Sequence, residues 1–389
     1  MRSQAICLAL AACSLAAGAK TPKLFGLPTQ YKTSSGSTFG VSGVYQYDWN
    51  DFSHGGIDPA TGEPLFEDAH TWARRELDAY FKAPNGLEVH VGYDWSNSWA
   101  DNYLKYSSKK LGDFRVGQFL TQVGWESVEG AQTWTFLTPS LPGKAAFEGR
   151  RIGADWSYGG IKHWLFQTAY FWNGNLDGKF PGHTYSARIV FDPIKQKDTV
   201  LHLGLAASRE VPGDHIAHFS TPPEASLTQT SLVDTQPLPF TDSIDRRGLE
   251  VGFLRGPVYM QGEYLRMTAH RGNGLPNFRG EGFYVQGAWM VNGETARSYK
   301  NGEFSMPKSR QWNGDFELAA RYSELDLRDG IVQGGREHNW TVGVNWYWKN
   351  LELQADYVWA SANDSPAKLY VAPVDPRVFE VRLQIYFGP

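Results

Sequence analysis

The sequence predicts an all-β fold, a transmembrane antiparallel β-barrel of about sixteen strands. Side-chain character alternates with period two in segment after segment, the periodicity of a strand with two unlike faces. The candidate strands are even in number and run to roughly ten residues, long enough to cross a bilayer at a tilt. Short and long connections alternate between them, as they do when one barrel rim carries turns and the other carries loops.

The elements follow in chain order. Arg2, the apolar run Ile6–Ala17 and the small residues Ala17-Gly18-Ala19 have the layout of a secretory signal peptide over residues 1–19, so the mature chain is expected to begin near Lys20. Leu10-Ala11-Ala12-Cys13 also permits a lipoprotein reading, for which the apolar run before Cys13 is short. Both cysteines, Cys7 and Cys13, lie in this segment, so the exported protein is expected to hold neither a disulfide nor a cysteine metal site. Residues 20–37 form a short N-terminal segment, and 38–389 form one barrel domain undivided by a linker.

Strands are expected near 38–49, 72–82, 86–96, 101–107, 113–120, 151–158, 161–173, 183–192, 200–208, 246–254, 257–267, 281–291, 314–324, 336–348, 350–360 and 377–387. The alternation is plainest where Leu87, Val89, Val91, Tyr93 and Trp95 interleave with Glu88, His90, Gly92 and Asp94. It recurs where Trp340, Val342, Val344, Trp346 and Trp348 interleave with Asn339, Thr341, Gly343, Asn345 and Tyr347. Leu351–Trp359 and Phe379–Phe387 repeat it. Short links at 83–85, 159–160 and 349–350 alternate with long ones at 50–71, 121–150, 209–245 and 361–376, and Pro222, Pro223, Pro237 and Pro239 mark 209–245 as a loop. One link, 292–313, is long yet falls on the short-turn side.

Composition excludes several classes. No apolar run reaches the 18 residues a spanning helix needs, so a helical membrane protein is ruled out. With 15 Trp, 19 Tyr and 22 Phe the chain is too aromatic for disorder. Without Arg2 the 37 basic residues fall to 36 against 41 acidic ones, and a net charge of −5 argues against nucleic-acid binding. Alternation also suits a soluble sandwich or propeller. Against these stand Trp95, Trp172, Trp348 and Trp359 at the strand ends, where a membrane barrel carries its aromatic girdles. Sixteen strands predict an open aqueous lumen.

Several segments resemble the phosphate-selective porin O and P family. Asp101-Asn102-Tyr103-Leu104-Lys105-Tyr106 followed by Arg115-Val116-Gly117-Gln118-Phe119 is similar to a strand pair of that family, and Ser140-Leu141-Pro142 with Gly149-Arg150-Arg151-Ile152-Gly153 to its third-loop exit. Glu263-Tyr264, Phe283-Tyr284-Val285-Gln286 and Gly293-Glu294-Thr295 resemble later strands. The most specific matches are Glu317–Ser323 with Leu325-Asp326-Leu327, then Gly334-Gly335-Arg336 and Asn339–Tyr347. The resemblance covers roughly residues 72–360 in the same order. It implies a trimeric sixteen-stranded outer-membrane channel for anions, with inward-folded loops, arginines along the path and a deeper lysine cluster. Two departures stand out. Residues 120–142 hold no Lys or Arg where the family often has a basic segment, and Glu126 and Glu129 there are expected to repel phosphate. Phe387 is followed by Gly388 and Pro389, although the assembly signal usually ends on the aromatic.

If the apolar faces meet lipid, Lys105, Arg115, Arg151, Arg188, Arg321 and Arg382 face the lumen, with Arg74 and Arg246 as further candidates. Guanidinium groups match oxyanion geometry, so these residues could form an anion path. Alternatively they pair with inward acids such as Glu76, Asp78, Glu88, Asp94, Asp155, Glu250, Glu317, Asp356 and Glu380 and brace the wall. Link 292–313 holds Arg297, Lys300, Lys308 and Arg310 against Glu294 and Glu303, a net of +2, and is the candidate basic constriction if it folds inward. Otherwise it is a solvated turn.

His215 and His218 have metal-compatible spacing in a Pro-rich loop but lack companion ligands. No nucleophile elbow, zinc-protease motif or phosphate loop is present. No catalytic residue, metal or cofactor is therefore expected. The leading expectation is a passive outer-membrane porin for small anions, phosphate or polyphosphate among them, acting as a homotrimer in a Gram-negative outer membrane. A general or sugar-permeable porin, favoured by inward aromatics such as Tyr80 and Tyr284, is the alternative within the class. A secreted β-rich glycan-binding protein or hydrolase is the alternative outside it.

Overall fold

A computed structural model describes residues 23–24, 27–293, 297–307, 309, 311–364 and 374–388. The expected signal segment, residues 1–19, lies outside the described residues. Sixteen antiparallel strands close into one barrel: β1 (Thr38–Ser53), β2 (Ala69–Lys82), β3 (Leu87–Asp94), β4 (Ser98–Ser108), β5 (Gly112–Leu120), β6 (Arg150–Tyr158), β7 (Trp164–Asn173) and β8 (Gly182–Lys195) in the first half. The second half is β9 (Thr199–Pro212), β10 (Thr241–Arg255), β11 (Val258–Arg271), β12 (Phe278–Met290), β13 (Asp315–Asp329), β14 (Val332–Trp348), β15 (Leu351–Asn363) and β16 (Arg377–Phe387). Each strand pairs with its sequence neighbour, and β16 closes on β1 in the register Arg377↔Ser53 to Phe387↔Gly43. Gln30–Lys32 of the N-terminal segment adds to the start of β1.

The predicted faces hold. Val89, Val91, Trp340, Val342, Val344, Phe379 and Leu383 stand outward and exposed, while Asp94, Asn339, Thr341, Asn345, Glu380 and Arg382 are buried on the inner face. The expected girdle residues Trp95, Trp172 and Trp359 are exposed on the outer surface. Tight turns close one rim. Lys349, for example, takes φ 54° in the two-residue Lys349-Asn350 hairpin, the left-handed backbone such short turns require. Pro193, which has no N–H to give a ladder, sits where the β8–β9 register shifts between Phe191 and Ile194.

Several strands run beyond the expected limits: β10 begins at Thr241, β13 continues to Asp329 and β14 begins at Val332. The reason lies in a change of phase. On β13 Phe316 and Leu318 face outward, but further along Leu325 and Leu327 are buried inward. Above the lipid-facing band the outer surface is polar and the inner surface meets packed loops, so the apolar residues change sides.

The rim loops are L1 (54–68), L2 (95–97), L3 (121–149), L4 (174–181), L5 (213–240), L6 (272–277), L7 (330–331) and L8 (364–376). The open lumen expected from the strand number is not what the structure shows. L3 and L5 fold inside and, with the walls of β9–β14, form an apolar core that includes Val123, Leu141, Phe219, Val233, Leu265, Met267, Phe278, Leu325 and Leu327. Link 291–314 enters from the opposite rim. Its Phe304 and Met306 join Trp125, Phe136, Tyr259, Met290 and Tyr347 in a second core. Apolar loop residues need a surface to bury against, and the inner wall provides one.

Candidate functional site

L3 is the main element of the lumen. It begins with a turn at Gly124, φ 87°, and a short helix α1 (Trp125–Glu129). Trp125 is fully buried, its backbone N–H donates to the Glu263 carboxylate at 3.0 Å, and its ring stacks on His202 with centroids 4.0 Å apart. A Cβ at Gly252 would lie 2.3 Å from that indole, so only glycine lets the ring approach the wall this closely. The following stretch is irregular, and its backbone groups need partners. Asn345 donates to the Thr135 carbonyl at 2.8 Å, Arg321 to Thr138 at 2.9 Å and Arg382 to Leu137 at 2.8 Å, while Asp356 accepts from the Leu137 N–H at 2.8 Å. Ser140 then caps a second short helix, α2 (Leu141–Ala145), accepting from Gly143 N at 3.2 Å, with Pro142 in the first turn. Lys144 stands exposed in the last turn.

L5 and link 291–314 lock this loop in place. Glu224 of L5 accepts from Leu141 N at 3.1 Å and from Thr341 at 2.9 Å, and pairs with Arg321 at 3.0 Å. Arg297 pairs with Glu317 at 3.1 Å and donates to the Thr133 carbonyl at 3.0 Å. Tyr299 contacts His202 Nδ1 at 2.6 Å and Asp192 at 2.5 Å, and the Gly302 carbonyl accepts from Arg188 at 2.9 Å.

Among the described residues, three cavities lie inside on the β16–β7 side of the barrel. Two lie toward the loop rim, with volumes of about 350 Å³ and 330 Å³. The third, of about 410 Å³, lies between β4–β7 and Asn301 with Glu303 of the inserted link. The upper two share Arg74, Asn97, Trp134, Pro139 and Lys144, the residues at which they adjoin between L3 and the wall, a junction termed the waist. Arg74 is paired with Glu76 at 3.4 Å, whereas Lys144 has no ion pair among the described residues. Arg150 opens on the same space, bonded to Asp101 at 2.6 Å.

The predicted path residues divide into two groups. Arg115 and Lys105 line the lower cavity, held by Asp155 at 2.5 Å and by Asp113 at 3.0 Å, and Arg382 lines an upper cavity while pairing with Asp48 at 2.7 Å. Arg151, Arg188 and Arg321 point inward but are buried away from all three cavities, paired with Glu210, Glu250 and Glu224. Arg246 is likewise buried, bridging Glu148 and Glu210 at 2.8 Å. Link 291–314 does fold inward, but Arg297 is spent on Glu317 and L3 and presents no free charge to solute; Lys300 is exposed. Lys308 and Arg310 lie outside the described residues. Tyr284 is buried beneath L3 and Tyr80 is almost fully buried, so neither forms an accessible aromatic surface. His218 bonds to Asp234 at 2.7 Å.

Glu126 and Glu129 do not confront the path, which corrects the expected repulsion. Both are buried in the seam between L3 and the wall, Glu126 accepting from Ser140 N at 3.0 Å and Glu129 from Gln261 at 3.3 Å. Burial pushes Glu126 up to about 7 against the pull of Arg321, and Glu129 up to about 8 against that of Arg297. Burial likewise raises Glu303 to about 7. Lys144, though its side chain reaches solvent, is partly desolvated by the surrounding loop and wall, which draws it below the ordinary lysine value.

Lys144 and Arg150 are the residues that sequence reasoning missed. Lys144 lies just past the stretch 120–142 noted as free of basic residues, and the Ser140-Leu141-Pro142 helix-start signature could have pointed to it. Arg150 adjoins Arg151, and alternation favoured the latter.

The family model for "Phosphate-selective porin O and P" matches residues 78–387. The chain belongs to that family. Among solved structures this porin is similar to the trimer form of OmpT of Vibrio cholerae, at 12% identity and TM-score 0.56, over 90% of this chain and 99% of that one. It is similar to an anion-selective porin from Comamonas acidovorans at 13% identity and TM-score 0.56, over 90% and 100% of the two chains. The outer-membrane channel DcaP of Acinetobacter baumannii gives 12% identity and TM-score 0.57, over 92% and 99%. These likenesses establish the outer-membrane porin fold. An uncharacterised protein of Caulobacter vibrioides is 26% identical over 287 residues, 67% of this chain but 57% of that relative's length.

Proposed function

We propose that this porin is a passive, non-catalytic diffusion channel for small anions, made as one barrel domain over 38–389. It is exported by its signal segment 1–19 and acts as a homotrimer in a Gram-negative outer membrane, the state named for its Vibrio cholerae neighbour. The observation that carries the reading is the waist: its charged members are both cations, Arg74 and Lys144, and Lys144 has no ion pair among the described residues. Selectivity depends on charges at the narrowest point, where low-dielectric walls focus the field. The deeper arginines act mainly as braces, since their charge is met by carboxylates and loop carbonyls. Arg115 and Lys105 continue the path below the waist, with weaker net fields because each is paired.

The test is the reversal potential of the purified trimer in a planar bilayer under a KCl gradient. Anion preference is expected; cation preference or none overturns the proposal. Phosphate added during the recording is expected to reduce chloride current in the wild type and less so in Lys144→Gln.

A further inference from the structure

The 330 Å³ cavity at the waist has an unusual lining for a polar pore: Phe147 and Phe180, 44% and 43% exposed, both line it, as does Trp134. Its volume is at the low end for sites that hold small organic molecules. Phe180 is not there by default. Its φ of 58° is left-handed, an uncommon conformation for a bulky side chain and one that persists only when its surroundings enforce it. The surroundings are visible. Buried Arg151 donates to the Phe180 carbonyl at 3.2 Å, and Gly149 leaves the space the ring occupies, since a Cβ there would meet the ring at 2.9 Å. Ser98 of β4 bonds Asp177 of L4, fixing the loop that carries the ring.

Charge in the same cavity is uneven. Its acids are engaged: Glu76 with Arg74, Asp94 with Ser96 N at 2.8 Å and Asn97 at 2.7 Å, and Asp177 with Ser98. Lys144 and Lys179 carry no ion pair among the described residues. Exposed rings and uncommitted cations thus line one half-open cavity.

Building on the anion-channel reading, we infer that this cavity is a binding site for small aromatic carboxylates. The carboxylate sits on Lys144 and Arg74 at the waist, and the ring lies among Phe147, Phe180 and Trp134. Aromatic pairs gain affinity beyond simple area burial, and an aliphatic carboxylate such as acetate lacks the ring to use it. Arg151 acts here as a positioning residue, because it holds Phe180 without reaching the solute.

The experiment titrates benzoate and acetate separately as blockers of chloride current through single trimers. Benzoate is expected to block at about tenfold lower concentration than acetate, a ratio one ring contact can supply. In Phe147→Ala/Phe180→Gly the two acids should block alike while chloride selectivity stays as in the wild type. Glycine relieves the left-handed strain at 180, and Phe147→Ala alone, expected to show an intermediate ratio, serves if the double variant yields no folded trimer. Equal block of the wild type by both acids, with anion preference intact, overturns the aromatic site and leaves the channel reading standing. Cation preference in plain KCl overturns both.

Discussion

Replacing Lys144 with Glu reverses the one unpaired charge at the waist, and the size of the effect can be worked out. An ion about 5 Å from the side-chain charge feels about 0.8 kcal/mol in water. At 0.1 M salt, where the screening length is about 10 Å, about 0.5 kcal/mol remains. Exchanging +1 for −1 moves a permeating anion by about 1 kcal/mol and a cation by as much in the opposite sense, so the anion-to-cation permeability ratio falls by about 2 kcal/mol, about thirtyfold. Lys144→Gln should give about half of that free energy, about a fivefold fall. In 1 M KCl, with screening over about 3 Å, the Glu variant should differ from wild type by only about threefold. The assay is the reversal potential in planar bilayers at both salt concentrations. A properly assembled Lys144→Glu channel whose potential matches the wild type at 0.1 M would refute the placement of the selectivity element. Because Lys144 titrates below the ordinary lysine value, the wild-type preference should also begin to fall at a lower pH than a free lysine would set.

Other perturbations probe the loops and the seam. Trp125→Ala removes a fully buried ring that anchors L3, and large-to-small changes of this kind cost about 3–5 kcal/mol. The indole N–H has no hydrogen-bond partner among the described residues, which favours the lower end, and single channels should show larger, noisier currents from a barrel that still resists detergent denaturation. The seated L3 binds protons on Glu126 and Glu129 at pH values where exposed carboxyls would have lost them. Their contribution to seating is therefore complete below about pH 4, declines as pH rises and is gone above about 8; current noise should grow across that range and change less in Glu129→Gln. Asp48→Asn leaves Arg382 buried without its carboxylate at the β16–β1 seam, a loss of about 3–5 kcal/mol that Asp48→Asn/Arg382→Gln should largely recover, read as the barrel's melting temperature.

Strand faces were legible because lipid and lumen impose different chemistry on alternate residues, and Leu351–Trp359 shows it without help from any other part of the chain. The outer ends of β10, β13 and β14 were not, because the apolar phase changes sides once the strand leaves the lipid and its inner face meets a packed loop. Direction toward the lumen could be read for Arg188 and Arg321, but whether a lumen residue meets water depends on which loops cover it. That cover is set by contacts such as Glu224 with Arg321, whose partners are nearly a hundred residues apart. The inward fold of link 291–314 could be anticipated from its length on the wrong rim. What its cations do there could not, since the Glu317 that neutralises Arg297 belongs to the next strand.

The seating of L3 also sets an order on assembly. The loop leaves β5, yet the groups that receive the backbone of Thr135–Thr138, Arg321, Asn345, Asp356 and Arg382, belong to β13–β16. The seam joins residues such as Asp48 and Arg382, 334 positions apart. Such long-range pairings are slow to form, because the intervening chain must first be gathered in. A nascent barrel can therefore seat Trp125 on β9–β11, but the stretch Thr135–Thr138 stays loose until β13–β16 arrive, and the channel acquires its finished waist only as the wall closes.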